Sequence, residues 1–207
     1  MMTSFLDVGR EVAINMGIDA INTIEDDSHE SVIISQFVNE TADELLRRVD
    51  WQSLRKTYTA ATSQSTIEYP VPADFDRLTI GGGVIVDGLV LRGSLSSSEW
   101  FTLPSVIGIP RYFYMDSSVL LFYPSPTDNL GIVVSYQSTQ YVERQDGSNA
   151  DKLASNTDKT FLPRELLVRG AVWRWNRHSG RDYNDQLSEY EAMLQDYANA
   201  EGGYRLP

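Results

Sequence analysis

The distribution of proline constrains the fold of this chain more than any other feature. Seven of the eight prolines lie between positions 70 and 163 of the 207 residues. Proline lacks a backbone N–H and interrupts helices, which argues against long helices in that region. The segments on either side carry apolar residues at helical spacing instead. The pattern therefore predicts helices at both ends of the chain and short strands between them.

The N-terminal segment predicts two helices. The first runs from Ser4, whose side chain can cap the free N–H groups, to Gly17, a typical stop. The second is expected to begin near residues 26–28, which offer further capping oxygens. Its apolar stripe continues to Val49.

The C-terminal segment predicts two more helices. Pro163 suits a first helical position, and Ser179 and Gly180 end that helix. The last helix carries a narrow apolar seam typical of helix–helix packing, formed by Tyr183, Leu187, Tyr190, Leu194 and Tyr197.

The central region predicts an all-strand domain. Short β-branched and aromatic runs alternate with turn residues, and Asp87 with Gly88 forms a hairpin signal. The predicted strands span 58–62, 66–69, 78–80, 84–86, 89–92, 112–115, 119–123 and 132–137. A polar stretch without periodicity, 146–159, predicts a long loop.

The expected fold is therefore α+β, with an antiparallel helical bundle formed by the N- and C-terminal helices. The helical domain comprises 1–57 and 160–207. An antiparallel β-sandwich or barrel-like domain, 58–145, is inserted between its two parts.

Composition excludes several classes of function. Cysteine is absent and there are two histidines, which excludes disulfide scaffolds, iron–sulfur clusters, thiol nucleophiles and histidine-rich metal sites. No long apolar run occurs, so neither a membrane span nor a secretory signal is expected. The formal net charge of −12 opposes nucleic-acid binding by bulk electrostatics.

No pattern of residues predicts a catalytic, cofactor or metal site. Glu25, Asp26, Asp27, His29 and Glu30 invite a metal hypothesis, but acids at the start of a helix favour capping. The pair Asp74 and Asp76 resembles a glycosidase pair in composition, yet the turn sequence PADFD explains it. The run Gly81, Gly82 and Gly83 lacks a phosphate-loop context and predicts a flexible turn.

Charge is segregated along the chain. Residues 19–44 hold eight acids and no Lys or Arg, and 182–201 hold six acids and no base. The helix between them carries five arginines against one acid. Together with Trp173 and Trp175 these arginines allow a nucleic-acid interpretation. Because the chain is strongly acidic, we favour buried tryptophans and arginines that pair with the acidic helix or with a neighbouring subunit.

An ordered set of motifs carries a resemblance to a known family. They are DWQSLR at 50–55, YPVPADFDRL at 69–78, PRYF at 110–113, LLFYPSP at 120–126, LPRELL at 162–167, WRW at 173–175 and GRDY at 180–183. In this order the chain resembles the head-to-tail adaptor proteins of tailed bacteriophages, and is similar to the tail tubular protein A group over about residues 30–200.

The resemblance implies a structural virion protein without enzymatic activity or a cofactor. Such adaptors form a ring, usually of twelve copies, between the portal protein and the tail or nozzle proteins. DNA passes through the ring without sequence-specific binding. We expect subunit or portal contacts at Arg164, Arg169, Arg177, Arg181, Tyr204, Arg205, Leu206 and Pro207, and tail-facing loops at Gly81, Gly82 and Gly83. Some acids of 19–44 or 182–201 are expected to face the channel.

Two other interpretations remain open from the sequence. A carbohydrate- or receptor-binding virion module would use aromatic rings to stack on sugars, and the candidates are Tyr112, Tyr114, Tyr123, Tyr136 and Tyr141. The competing explanation for these tyrosines is packing at half-buried strand positions. An enzyme with an unrecognised acid pair is the third interpretation.

Overall fold

The chain folds into a mixed α+β structure. The computed structural model describes residues 2–19, 21–64, 66–80 and 82–201. Within these ranges the helices are α1 (Phe5–Met16), α2 (His29–Arg48), α3 (Ser97–Phe101), α4 (Arg164–His178) and α5 (Asn184–Glu201). The predicted α+β class is confirmed.

Twelve short strands form antiparallel sheets in the described ranges. They are β1 (Thr3–Ser4), β2 (Arg55–Ala61), β3 (Tyr69–Pro70), β4 (Phe75–Leu78), β5 (Val84–Val86), β6 (Leu89–Val90), β7 (Tyr112–Asp116), β8 (Val119–Tyr123), β9 (Gly131–Ser138), β10 (Val142–Glu143), β11 (Asn149–Ala150) and β12 (Lys159–Thr160). The sheet orders are β1-β12-β10-β11, β2-β9-β5-β6 with β4 also on β9, and β3-β8-β7. No sheet of the described residues closes into a barrel.

Residue contacts divide the chain into two compact units. The helical unit contains 1–54 and 139–207, and the β unit contains 55–138. Each unit has its own cluster of buried apolar side chains. The helical unit therefore joins two segments that are far apart in the sequence.

Capping side chains fix the N-terminal helices where the sequence predicts them. Ser4 accepts a hydrogen bond from the backbone N–H of Asp7 at 3.2 Å, and Ser28 accepts one from Ser31 at 3.3 Å. Gly17 ends α1 with φ of 71°, a left-handed conformation that glycine adopts at low cost. Both helix starts and the first stop are confirmed.

Helices α2 and α4 approach closely at a glycine. A Cβ atom added to Gly170 would lie 2.2 Å from Cγ2 of the buried Thr41. That distance is far below ordinary van der Waals contact, so α4 needs glycine here to pack against α2. The Thr41 hydroxyl donates to the Phe37 carbonyl at 2.7 Å, which fixes the side chain facing the glycine.

Strand β9 organises the β unit. It pairs with β2 over seven residues on one side, and with β4 and β5 on the other. Its buried side chains Ile132 and Val134 join a core that also contains Phe113, Leu120 and Phe122. The alternating burial along β8, and along β9 from Gly131 to Tyr136, follows the period of two expected for strands with one covered face.

Several element boundaries differ from the sequence predictions. The predicted strand 66–69 is reduced to Tyr69–Pro70, and the strand predicted at 78–80 lies at Phe75–Leu78. Pro163 precedes α4 as its cap instead of occupying the first turn. The helix α3 was not predicted. Its five residues begin at a capping box in which Ser96 and Glu99 satisfy each other's backbone N–H groups.

The segment 146–159, predicted as a loop, contains β11 and is tied to the helices. Asn39 of α2 donates to the Leu153 carbonyl and accepts from its N–H, both at 3.1 Å. The Phe5 N–H donates to the Asp158 carbonyl at 2.7 Å. These bonds hold the segment against both N-terminal helices.

Candidate interaction surfaces

A partly buried charge network connects three helices of the helical unit. Arg48 of α2 contacts Glu44 at 2.7 Å and Glu191 of α5 at 2.6 Å. Arg174 of α4 pairs with the same Glu44. Burial raises the pKa of Glu44, but hydrogen bonds from Arg48 and Arg174 outweigh that effect and leave the pKa below its ordinary value. Glu44 is therefore held as an anion between two guanidinium groups.

The arginines predicted as interface residues divide into two groups. Arg164 pairs with Glu11 of α1, and Arg169 pairs with Glu189 of α5. Arg177 and Arg181 are exposed and have no acidic partner within 4.0 Å among the residues described. The pairing of Arg169 with the acidic last helix agrees with the sequence interpretation, whereas the α2 partner of Arg174 was not predicted.

An open cleft of about 420 Å³ lies at the C-terminal end of α4. Its lining comprises Phe37, Glu40, Trp173, Arg174, Arg177 and His178. The His178 ring packs edge-on to Phe37 at a centroid distance of 5.8 Å and is stacked on Trp175 at 6.3 Å. Arg174 lies 4.4 Å from the centre of the Trp173 ring. The cleft thus combines aromatic faces with an unpaired cation, Arg177.

The loop between α1 and α2 forms an acidic groove of about 610 Å³. Asp19, Asp26 and Glu30 contribute to its lining. Asp26 accepts hydrogen bonds from the Ser28 backbone and side chain. The Ser31 hydroxyl and then these Ser28 bonds lower the pKa of Asp26. Asp19 and Glu30 have no hydrogen-bond or ion-pair partner among the described residues.

The acids of 25–30, considered as a metal site, make separate contacts. Glu25 accepts from the Ser155 hydroxyl at 2.5 Å and from the Asn156 N–H at 2.7 Å, whereas Asp26 accepts from the hydroxyl of Ser28, the residue that caps α2. Over the described ranges, no three His, Asp or Glu side chains meet in a geometry that could hold a metal ion. Asp26 therefore supports the capping residue Ser28 and does not itself cap α2, and Glu25 is bound to Ser155 and Asn156.

Asp74 and Asp76 of the PADFD sequence, which we interpret as turn residues, make separate contacts. Asp74 accepts from Lys56 at 2.6 Å, Ser138 at 2.8 Å and the Tyr136 hydroxyl at 3.0 Å. Burial and the neighbouring carboxylate raise the pKa of Tyr136 to about 12. Asp76 pairs with Arg77 instead. Asp74 therefore links the turn before β4 to β2 and β9.

The tyrosines considered for sugar stacking do not form one surface. Tyr136 and Tyr141 are buried, and they belong to different units. Tyr112, Tyr114 and Tyr123 are half-buried, and Tyr114 stacks on Trp100 at a centroid distance of 5.4 Å. Strand packing therefore explains Tyr136, and Tyr141 donates its hydroxyl to Asn39 of α2 at 2.8 Å.

An apolar surface of the β unit was missed by the sequence predictions. Phe101 is 80% exposed and Ile107 is 60% exposed, and Val106 and Ile109 are exposed beside them in sequence. The run from Trp100 to Pro110 contains no charged residue. The lack of charge in this run is visible in the sequence. It could not predict an exposed apolar surface, because an uncharged apolar run is equally typical of a buried core.

Part of the predicted interface lies outside the described residues. This applies to Tyr204, Arg205, Leu206 and Pro207, and to Gly81 of the predicted tail-facing loop. The Gly82 N–H donates to the Thr79 carbonyl at 3.0 Å, and a Cβ atom on Gly82 would lie 1.9 Å from the Thr79 hydroxyl. Gly82 thus belongs to a tight turn immediately before β5.

A family model described as SU10 adaptor protein matches residues 3–205, and the chain belongs to this family. It is therefore a structural phage adaptor, a virion component that interacts with other phage head or tail proteins. A comparison with curated proteins found no match. None of the helices in the described part of the chain is long and apolar enough to cross a membrane.

Proposed function

We propose that this chain forms a ring, of twelve copies, between the portal of a phage capsid and the tail. In this position it extends the DNA channel and presents a platform on which tail or nozzle proteins assemble. Membership of the adaptor family over residues 3–205 is the observation that carries the proposal. The resemblance to head-to-tail adaptors, through motifs distributed from DWQSLR to GRDY, supports the same position.

In this proposal the helical unit and the β unit have different roles in the ring. The helical unit, with N- and C-terminal helices in an antiparallel bundle, builds the wall of the ring. The β unit, as a sandwich, presents its surface to tail proteins, including the turn at Gly82 and Gly83. The portal contact falls to the C-terminal residues Tyr204, Arg205, Leu206 and Pro207.

The charge of the chain supports a channel through which DNA moves freely. Asp185 and Asp196 of α5 are exposed and have no cationic partner among the residues described. Carboxylates on a channel wall repel phosphate groups and so keep DNA from binding to the wall. We place part of the 19–44 or 182–201 acids at the lumen, and a ring with a basic or neutral lumen would contradict this placement.

Particles assembled without the chain test the proposal. We expect electron microscopy to show heads without tails, with DNA retained or leaking, and purified wild-type chain to restore tail attachment when it is added to these heads. A chain with Trp51→Ala, which removes a core side chain, serves as the control that fails to restore attachment. Tailed, infectious particles formed without the chain would overturn the proposal.

A further inference from the structure

We infer that the basic end of α4 is a docking surface for the acidic α1–α2 connection of a second copy of this chain. The basic surface comprises Arg177, Arg181 and the aromatic cleft beside them. The acidic surface comprises Asp19, Asp27 and Glu30. The inference rests on the proposed ring and names the contact that would build it.

The arginines in and just after α4 differ in whether they pair within the chain. Arg164, Arg169 and Arg174 each have a carboxylate partner on another helix of the same chain. Arg177 and Arg181 have none in the described ranges, and both are exposed. The arginines from the start of α4 to Arg174 therefore form ion pairs within the chain. The two that follow, Arg177 and Arg181, form none among the residues described.

The cleft beside Arg177 is shaped to receive a side chain. It is open, holds about 420 Å³, and has the rings of Phe37, Trp173 and His178 in its lining. Glu40 is the one carboxylate in the lining, and it lies 3.9 Å from Arg174, which offsets its charge. Aromatic faces surrounded by arginines form a combination that is enriched at protein–protein contacts.

The acidic connection provides the complementary charge. Asp19, Asp27 and Glu30 are exposed and have no hydrogen-bond or ion-pair partner in the described part of the chain. No Lys or Arg occurs between Asp19 and Glu44 in the sequence, and Arg10 of α1, which reaches this connection, donates to the Ile21 carbonyl at 3.2 Å. Arg and carboxylate groups form short, charge-assisted hydrogen bonds when they meet across an interface.

Such a contact can build the proposed ring. The basic and acidic surfaces are different parts of the molecule, so a single contact joins unlike surfaces and leaves one basic and one acidic surface of the pair free. A two-fold dimer would instead need both contacts to form between the same two copies. Repetition of one heterologous contact generates a closed ring when the rotation allows closure. A second copy therefore accounts for both unpaired surfaces with one interaction.

Complementary charge reversal tests the contact. Variant one carries Arg177→Glu and Arg181→Glu, and variant two carries Asp19→Lys, Asp27→Lys and Glu30→Lys. Asp26 is left unchanged because it accepts two hydrogen bonds from Ser28, the residue that caps α2. Light scattering and native mass spectrometry are performed at about 50 mM salt, with the Debye length above 10 Å. The control is Arg111→Glu, which reverses an exposed arginine of the β unit.

We expect the wild type and the Arg111→Glu control to assemble, and each reversed variant to remain monomeric with an unchanged circular dichroism spectrum. An equimolar mixture of the two variants should assemble again, because each reversed surface then meets its reversed partner in an alternating ring. Assembly of variant one to the wild-type mass, or failure of the mixture to assemble, would overturn the inference.

Cross-linking inside assembled particles provides a second test and separates the two proposals. The chain has no cysteine, so Arg181→Cys in one preparation and Asp27→Cys in another report only the introduced contact. We expect particles containing both variants to give a disulfide-linked pair of chains, and particles containing either variant alone to give none. Tailed particles without this link would overturn the docking contact and leave the proposed function standing. A link to a portal or tail chain instead would also overturn the second copy as occupant.

Discussion

The helical unit and the β unit expose different kinds of surface. Eight of the eleven large apolar side chains exposed in the described residues belong to the β unit: Ile67, Ile80, Leu89, Val90, Phe101, Val106, Ile107 and Ile109. The β unit holds seven acids and five Lys or Arg residues, a net charge of −2. Ten of the twelve net negative charges of the chain therefore belong to the helical unit.

From this difference we expect the two units to bind partners by different physical means. Charged contacts of the helical unit should weaken as salt is added. Apolar contacts of the β unit should not, because salt does not screen the burial of apolar surface. An adaptor with one surface of each kind can hold two partners whose contacts respond separately to solution conditions.

The largest expected effect is the loss of a core side chain in the helical unit. Trp51 is 1% exposed, donates to the Leu45 carbonyl at 3.0 Å and packs against Tyr197. We expect Trp51→Ala to lower the free energy of unfolding by about 3–5 kcal/mol in urea denaturation. The matched change in the β unit, Trp100→Ala, removes a half-exposed ring stacked on Tyr114 and is expected to cost about 0.5–1.5 kcal/mol. An equal loss of unfolding free energy in the two variants would contradict the expected difference between the buried Trp51 and the half-exposed Trp100.

The charge network of the helical unit predicts a pH-dependent stability. The pKa of Glu44 is lower in the folded protein than in the unfolded chain, so its contribution is present above the unfolded pKa of about 4.5. The contribution is lost as the pH falls through the folded pKa. We expect Glu44→Gln to cost about 1.5–3 kcal/mol at pH 7 and progressively less below pH 4.

Unfolding by urea at several pH values measures this effect, with Glu30→Gln as the control. Glu30 is exposed and has no partner in the described part of the molecule, so its change is expected to stay within about 0.5 kcal/mol. A constant difference between wild type and Glu44→Gln from pH 7 to pH 3 would show that Glu44 is not the titrating group.

Two buried tyrosines of the helical unit differ in whether the hydroxyl group forms a hydrogen bond. Tyr141 and Tyr190 are both fully buried, and burial raises the pKa of each. Tyr141 donates to Asn39, whereas the Tyr190 hydroxyl has no hydrogen-bond partner in the described ranges. We expect Tyr141→Phe to cost about 0.5–1.5 kcal/mol and Tyr190→Phe to be neutral or stabilising, as measured by thermal and urea unfolding. The reverse order would contradict the hydrogen bonding described.

The smallest effect on stability is expected at the apolar surface of the β unit. Phe101→Ser and Ile107→Ser change side chains that are 80% and 60% exposed, so the free energy of unfolding should move by no more than about 0.5 kcal/mol. Attachment of tail proteins to the heads should nevertheless fall, because the variants remove apolar surface available to a partner. Normal attachment by both variants would exclude this surface from tail docking.

Local signals in the sequence predicted much of the fold. Ser4, Gly17 and Ser28 mark helix ends because capping depends on residues within one turn of the chain. The strands 84–86 and 119–123 were predicted at their observed bounds, since their burial follows a simple strand pattern. Asp87 and Gly88 adopt positive φ at the predicted hairpin turn.

Features that depend on distant residues could not be predicted. The pairing of Arg174 with Glu44 joins positions 130 apart in the sequence, and nothing in the charge pattern selects Glu44 over the acids of α5. The exposed run around Phe101 and Ile107 resembles a core segment in composition, because exposure depends on what the rest of the fold covers. Arg177 and Arg181 were among the predicted interface residues, but the sequence could not show that Arg164 and Arg169 pair within the chain whereas these two do not among the residues described.

Electron cryomicroscopy of intact wild-type particles tests the proposed ring and the contact between its copies in one measurement. We expect density for a closed ring of this chain between portal and tail, with Arg177 and Arg181 of each copy facing Asp27 and Glu30 of the next. Density at the head–tail junction that contains no copy of this chain, or single copies that do not touch one another, would contradict it.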